Sequence, residues 1–127
     1  MKYVKSFRDL EVYKTARELS KEIFFLTKAF PKDERYSLTD QIRRSSRSVG
    51  AQIAEAWGKR RYQLHFISKL TDADSEQLET QHWLEESSVC EYIDPLLCRS
   101  LLDKYESIGK MLQSMIDKSS AFCKRSD

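Results

Sequence analysis

A chain of 127 residues, 40% hydrophobic and 33% charged, has one domain's length and enough apolar material for a core, and its composition is unlike that of a disordered segment. Three glycines and two prolines leave few helix breakers, so an all-α fold is the first expectation. No apolar run approaches the roughly 20 residues that span a bilayer and the opening MKYVKSFRDL has no signal-peptide core, which predicts no membrane segment and a cytoplasmic location.

After a short basic lead, Ser6 with Asp9 three residues on predicts a capped first helix from about residue 7. Val12, Ala16, Leu19, Ile23, Leu26 and Phe30 step by four and three, and Tyr13, Phe24 and Phe25 widen the stripe beyond a two-helix seam. Pro31 ends this helix, because its ring disfavours helical geometry in the preceding residue and removes a donor.

A polar turn, residues 32–36, leads to Ser37 and Asp40, a second capping pattern, for a helix running to about Trp57. Its apolar stripe is Ile42, Val49, Ile53 and Ala56 with small Ser46 between them, and Arg43, Arg44 and Arg47 fall outside it. Gly50 costs about 1 kcal/mol relative to alanine in mid-helix. Together with Ser45, Ser48, Ala51 and Ala54 it predicts a close neighbour. Gly58 suits a left-handed helix end, and Lys59, Arg60 and Arg61 follow it.

No proline or glycine interrupts residues 62–92, which predicts a third helix of roughly 45 Å at about 1.5 Å per residue. Its ends are apolar (Leu64, Phe66, Ile67 and Leu70; then Trp83, Leu84 and Val89) and its middle is polar. Cys90 and Cys98 are expected to pack at the corner that follows. With Cys123 the cysteines are odd in number and lack Cys-x-x-Cys spacing, so reduced thiols are expected. Asp94 and Pro95 make an N-cap acceptor and a first-turn proline for a fourth helix. There Cys98, Leu101, Tyr105, Ile108, Leu112 and Met115 form the stripe, and Phe122 lies one heptad further, before the polar end CKRSD. Four helices joined by short turns pack in alternating directions, so the predicted architecture is an antiparallel up-down-up-down four-helix bundle.

Charge is segregated along this chain. Residues 35–61 carry seven basic residues against two acidic ones, and residues 62–94 carry one against eight, while the whole chain is only +2. The basic second helix and acidic third helix can pair within one subunit. Alternatively, one copy's basic face can meet another's acidic face in a head-to-tail contact that closes into a ring oligomer.

The blocks RRSSRSVGAQIAEAWGKRRY, FISKLTDADSEQLETQHWLE and CEYID, with the opening FRDLEVYKTA and the turn at Phe30 and Pro31, carry a resemblance over nearly the whole chain. It resembles the four-helix-bundle proteins related to the 23S rRNA intervening-sequence proteins and to the accessory variability determinant of diversity-generating retroelements. Where many relatives read Asn-Ile-Ala-Glu-Gly, this chain has Gln52, Ile53, Ala54, Glu55 and Ala56, and Gly50 or Ala51 stands in place of a common proline. The resemblance implies a homo-oligomer, a pentameric ring. For the retroelement branch it also implies a basic surface that binds nucleic acid and a reverse-transcriptase partner.

The candidate nucleic-acid-binding residues are Arg43, Arg44, Arg47, Lys59, Arg60 and Arg61, since neutralised phosphates release counterions and arginine takes two phosphate oxygens at once. Tyr62 and Trp57 offer either stacking surfaces for RNA or DNA bases or packing. Glu79 and His82 have the Glu-x-x-His spacing of di-iron bundles, but that site needs two such motifs and the chain has one. A polar network of Glu76, Glu79, Gln81 and His82 is the expectation there. With no glycine-rich loop, nucleophile elbow or paired-acid cleft, neither an enzyme nor a cofactor is expected. Two readings stand: a self-associating bundle that binds nucleic acid through its second helix, alone or beside a nucleic-acid enzyme, and a structural or protein-interaction oligomer whose charged helices join subunits.

Overall fold

Leu10 is extended and buried, and it separates a 3-10 turn at Phe7–Asp9 from helix α1, Glu11–Thr27. This is a computed structural model describing residues 4–123. The start of the basic lead and the end CKRSD beyond Cys123 lie outside those residues. The Ser6 hydroxyl accepts from the Arg8 amide at 3.2 Å, so it caps the turn. Helix α1 therefore starts later than the capping pattern predicted, because burying Leu10 takes an extended backbone that a helix cannot continue through.

After Phe30 and Pro31 the chain makes a 3-10 turn, Lys32–Glu34, and a π-helical turn, Arg35–Thr39, which runs directly into α2, Asp40–Gly58. The expected Ser37 cap is not made. Thr39 already has helical angles (φ −61°, ψ −49°), leaving no extended N-cap residue, and the Ser37 hydroxyl donates instead to Glu34 Oε1 at 2.9 Å. Gly58 is likewise not left-handed. It lies inside α2, and the turn beyond closes through the Tyr62 amide donating to the Lys59 carbonyl at 2.9 Å.

Helix α3 is Gln63–Val89 and α4 is Pro95–Asp117, followed by a short α5, Ser119–Phe122. The Asp94 carboxylate accepts from the amides of Leu96 and Leu97 at 3.1 and 3.2 Å, with Pro95 in the first turn, as its sequence predicts. The left-handed residue is Glu91 (φ 63°) at the end of α3. The Tyr92 amide donates back to Ser87 O at 2.9 Å and the Glu91 amide to Ser88 O at 3.0 Å, the Schellman pattern that satisfies the last carbonyls of a helix.

The four long helices form the predicted antiparallel bundle. Val12, Ala16, Leu19 and Ile23 of α1 meet Ile42, Val49 and Ile53 of α2, Phe66, Leu70 and Leu84 of α3, and the complete predicted stripe of α4 in one core. The α2–α3 seam is the most extensive and the α1–α4 seam the most open of those between neighbours. Small side chains allow the former: Ser45 and Ser46 are buried, and Thr80 Oγ1 donates to Ser45 Oγ at 2.8 Å. The close neighbour of Gly50 is the Tyr13 ring, 3.6 Å from where a Cβ would stand.

The polar middle of α3 turns partly inward. Gln77 is buried, donating to Asp74 Oδ1 at 2.9 Å and accepting from Gln81 at 2.8 Å, and Gly109 of α4 gives it room. Three apolar positions face out against expectation: Phe25, at the α1–α4 seam, and Leu64 and Val89 at the ends of α3. Cys98 is buried with its thiol 3.5 Å from the Leu84 carbonyl, but Cys90, expected beside it, is exposed because the helix ends there.

Candidate nucleic-acid interface

Adjacent positions of α2 present Arg43 and Arg44 to different neighbours, and the six cations singled out in the sequence divide into three groups. Arg43 leans onto α1: its Nε donates to Thr27 Oγ1 at 2.8 Å, its Nη2 to the Phe24 carbonyl at 3.4 Å, and its guanidinium lies 4.7 Å from the Phe24 ring centre. Arg47, one turn on, lies over the same ring at 5.2 Å and keeps its hydrogen-bonding capacity for solvent.

Arg44 turns the other way and reaches α3. It bridges Glu76, at 3.2 Å, and Glu79. The Glu79 hydrogen bond holds this guanidinium above its ordinary pKa. Burial pushes the Glu79 carboxyl up, but hydrogen bonds from Trp83 and Arg44 outweigh burial and hold it below the usual carboxylate range. Lys69 of α3 pairs with Glu55 of α2 at 3.4 Å, an ion pair across the same seam with the charges reversed. Part of the α2–α3 charge complementarity is therefore satisfied within the chain. The expected network of Glu76, Glu79, Gln81 and His82 is split: Gln81 bonds to Gln77, and His82 is exposed against the Trp83 ring at 4.7 Å.

The third group follows the far end of α2, whose last residue, Gly58, lies about 21 Å along the axis from Arg44 at about 1.5 Å per residue. Arg60 lies on the Trp57 ring at 3.5 Å and donates to the Trp57 carbonyl at 2.8 Å, while Lys59 and Arg61 are exposed. Tyr62 is exposed beside His65.

What gathers around Arg47 is a set of residues from α1 and the turn before it that the charge count by segment does not single out. An open cleft of about 870 Å³ between α1 and α2 is lined by Arg8, Lys14, Arg17, Lys21 and Arg47, with Glu18 as its one acid and Tyr13, Ser20 and Phe24 at its base. Lys28 extends the row, lying 5.0 Å from the Phe24 ring. The signal was available in the helical spacing. Arg17, Lys21 and Lys28 recur at four and seven, and Glu11, Glu18 and Glu22 at seven and four in the adjacent sector toward α4, where Glu22 meets Lys104 at 4.0 Å; Lys21 and Glu18 stand at the boundary and line both the cleft and the α1–α4 groove. A row of cations on a half-open cleft can neutralise several phosphates of one ligand, and its affinity would be set by charge rather than by base identity.

The model of the family described as 23S rRNA-intervening sequence protein matches residues 8–114, from Arg8 through most of α4. The chain belongs to that family. The match covers every residue lining the α1–α2 cleft and all six cations in and just after α2. Among solved structures, this intervening-sequence family member is similar to a protein of unknown function from the S23 ribosomal protein family of Bacteroides thetaiotaomicron VPI-5482, at 33% identity and a TM-score of 0.75. That likeness covers 84% of this chain and 95% of the other. No curated protein matches it.

Proposed function

We propose that this protein is a non-enzymatic, self-associating helical bundle that binds nucleic acid through phosphate contacts in the α1–α2 cleft, without sequence preference. The observation that carries the reading is the placement of Arg8, Lys14, Arg17, Lys21 and Arg47 around one opening, with Glu18 the only acid among its lining residues. Arg43 and Lys28 flank its aromatic base and Lys59 and Arg61 extend the charge toward the end of α2, whereas Arg44 is committed to α3. The family description makes RNA the first ligand to try.

The test is fluorescence anisotropy with structured RNA at about 50 and 200 mM salt. Five phosphate contacts give a slope of log affinity against log salt of about −4.5, an approximately 500-fold loss between those salts. Replacing exposed Arg17 and Lys21 together by glutamate should weaken binding at least about tenfold and flatten the slope by about 2. Absence of binding at the lower salt, or an unchanged double variant, counts against the reading.

A structural oligomer is the second reading. Leu64 and Leu78 are exposed on α3 two heptads apart, on the acidic helix whose charge complements the cleft of another copy. Light scattering of nucleic-acid-free protein checks the pentamer that the resemblance implies, and a monomer would set this reading aside.

A further inference from the structure

On the nucleic-acid reading above, the aromatic side chains of the basic region state which form of nucleic acid fits. Phe7, Tyr36, Trp57 and Phe24 carry a cation on the ring, whereas Tyr62, past the end of α2 and not among the residues lining the cleft, is exposed beside His65. Arg8 lies 4.5 Å from the Phe7 centre, Arg35 5.4 Å from Tyr36 and Arg60 3.5 Å from Trp57. The Phe24 ring, at the base of the cleft, is covered by Arg43, Arg47 and Lys28. Tyr13 is closed from another direction: Phe7 meets it edge-on at 4.9 Å, and the α2 backbone at Gly50 lies against its ring.

Proteins that hold single strands offer open aromatic faces on which unstacked bases lie, because every base has a π-face and stacking tolerates any sequence. This cleft offers cations at its surface and no uncovered ring at its base. A base could reach Phe24 only by displacing guanidinium groups from a contact that already uses the ring's negative face. A duplex makes no such demand, since its bases stay stacked and its two phosphate rows are available to a row of lysine and arginine.

We infer that the cleft takes base-paired nucleic acid, gripped by its phosphate backbone, in preference to single strands. The probes are a 5′-labelled RNA duplex of about 24 base pairs, a DNA duplex of equal length, and oligo(U) of the same number of nucleotides, titrated with the full chain at about 50 mM salt. The RNA duplex should bind at least about tenfold more tightly than oligo(U). The DNA arm separates the sources of the phosphate rows: equal binding assigns recognition to backbone charge common to both duplexes, and weaker binding to the A-form arrangement. Oligo(U) binding as tightly as the duplex overturns this inference while leaving nucleic-acid binding intact, whereas no binding by any probe overturns both.

A second measurement is the Phe24→Leu variant, with folding checked by circular dichroism. Because the ring supports three of the cleft's cations and touches no base, any loss should fall on duplex and oligo(U) alike and leave the ratio of their affinities within about threefold of the parent's. Loss of a ring that stacks a base costs at least about fivefold, and a loss of that size confined to oligo(U) overturns the assignment.

Discussion

The Tyr92 hydroxyl donates to Glu34 Oε2 at 2.8 Å and ties the corner between α3 and α4 to the turn between α1 and α2. The Tyr92 ring lies on Phe30, with centroids 5.4 Å apart, so the bond sits at the edge of an apolar contact. The bond shifts both groups in the directions that preserve it: Tyr92 and Ser37 hold the Glu34 carboxyl below its usual 4.5, and Glu34 pushes the Tyr92 phenol up to about 12.

Both shifts bear on stability through linkage. Depression of Glu34 contributes stability that is present above its unfolded value and lost as pH falls through the folded one. Elevation of Tyr92 contributes stability that is present below pH 10 and lost as pH rises from 10 to about 12. The stability difference between the protein and Tyr92→Phe, measured by urea unfolding, should be flat across neutral pH and should narrow at both ends. A difference that stays constant from pH 9 to about 12 would show that the hydroxyl contributes nothing through this bond.

Glu91 stands in the left-handed region at φ 63°, in the position of the Schellman turn where glycine has no Cβ penalty. Its side chain is exposed. Glu91→Gly should therefore stabilise the protein by about 1 kcal/mol, read as a higher urea midpoint at unchanged slope. A lower midpoint would show that the carboxylate has a role that its exposure conceals.

How far the sequence reveals this fold depends on whether a signal is local. Helix α4 is legible in full, since Asp94 and Pro95 set its start and six periodic residues set its buried face. The start of α1 is not, because a Ser6 cap serves a 3-10 turn as well as a helix, and what breaks the chain at Leu10 is burial against distant residues. Gly58 and Glu91 exchange their expected roles for a similar reason. The left-handed turn falls where Tyr92 must be delivered to Phe30 and Glu34, a requirement that glycine preference does not encode. In the cleft, Arg47 was found from its own helix. Its companions are hidden by averaging, because residues 1–34 total only +2 although Arg8, Lys14, Arg17 and Lys21 gather on one opening with Glu18 as its one acid.

Gly50 and Gly109 are both helical and respond differently to alanine. A Cβ at Gly50 would stand 3.6 Å from the Tyr13 ring, an ordinary contact, whereas one at Gly109 would come within 3.0 Å of Gln77 Nε2 and 3.3 Å of Asp74 Oδ1. Gly50→Ala should stabilise by about 0.5–1 kcal/mol. Gly109→Ala should lose that gain, because Gln77 is buried and held by two hydrogen bonds. Thermal unfolding of the two variants side by side gives the comparison, and an equal gain at both would show that Gln77 moves aside freely.

Tyr105 is fully buried, and among the described residues its hydroxyl is the buried side-chain oxygen without a hydrogen-bond partner. Burial, reinforced by the negative charge of Glu22, pushes its pKa upward. An unpaired buried hydroxyl costs more than it contributes, so Tyr105→Phe, which keeps the ring and its packing, should be neutral or stabilising by up to about 1 kcal/mol. A loss of more than about 1 kcal/mol in chemical denaturation would reveal a partner for this hydroxyl in solution.

Arg44 and Arg47 are one turn apart on α2 and should separate subunit architecture from ligand binding. Arg44 is committed to Glu76 and Glu79, so Arg44→Gln should leave RNA affinity and its salt slope unchanged. Its stability cost should stay within about 1 kcal/mol, because half of the side chain is exposed and solvent screens the pairs. Arg47 faces the cleft, so Arg47→Gln should weaken RNA binding and flatten the salt slope by about 1 without changing stability by more than about 0.5 kcal/mol. The reverse pattern, in which Arg44→Gln abolishes binding and Arg47→Gln does nothing, would move the ligand to the α2–α3 seam and remove α1 from the site.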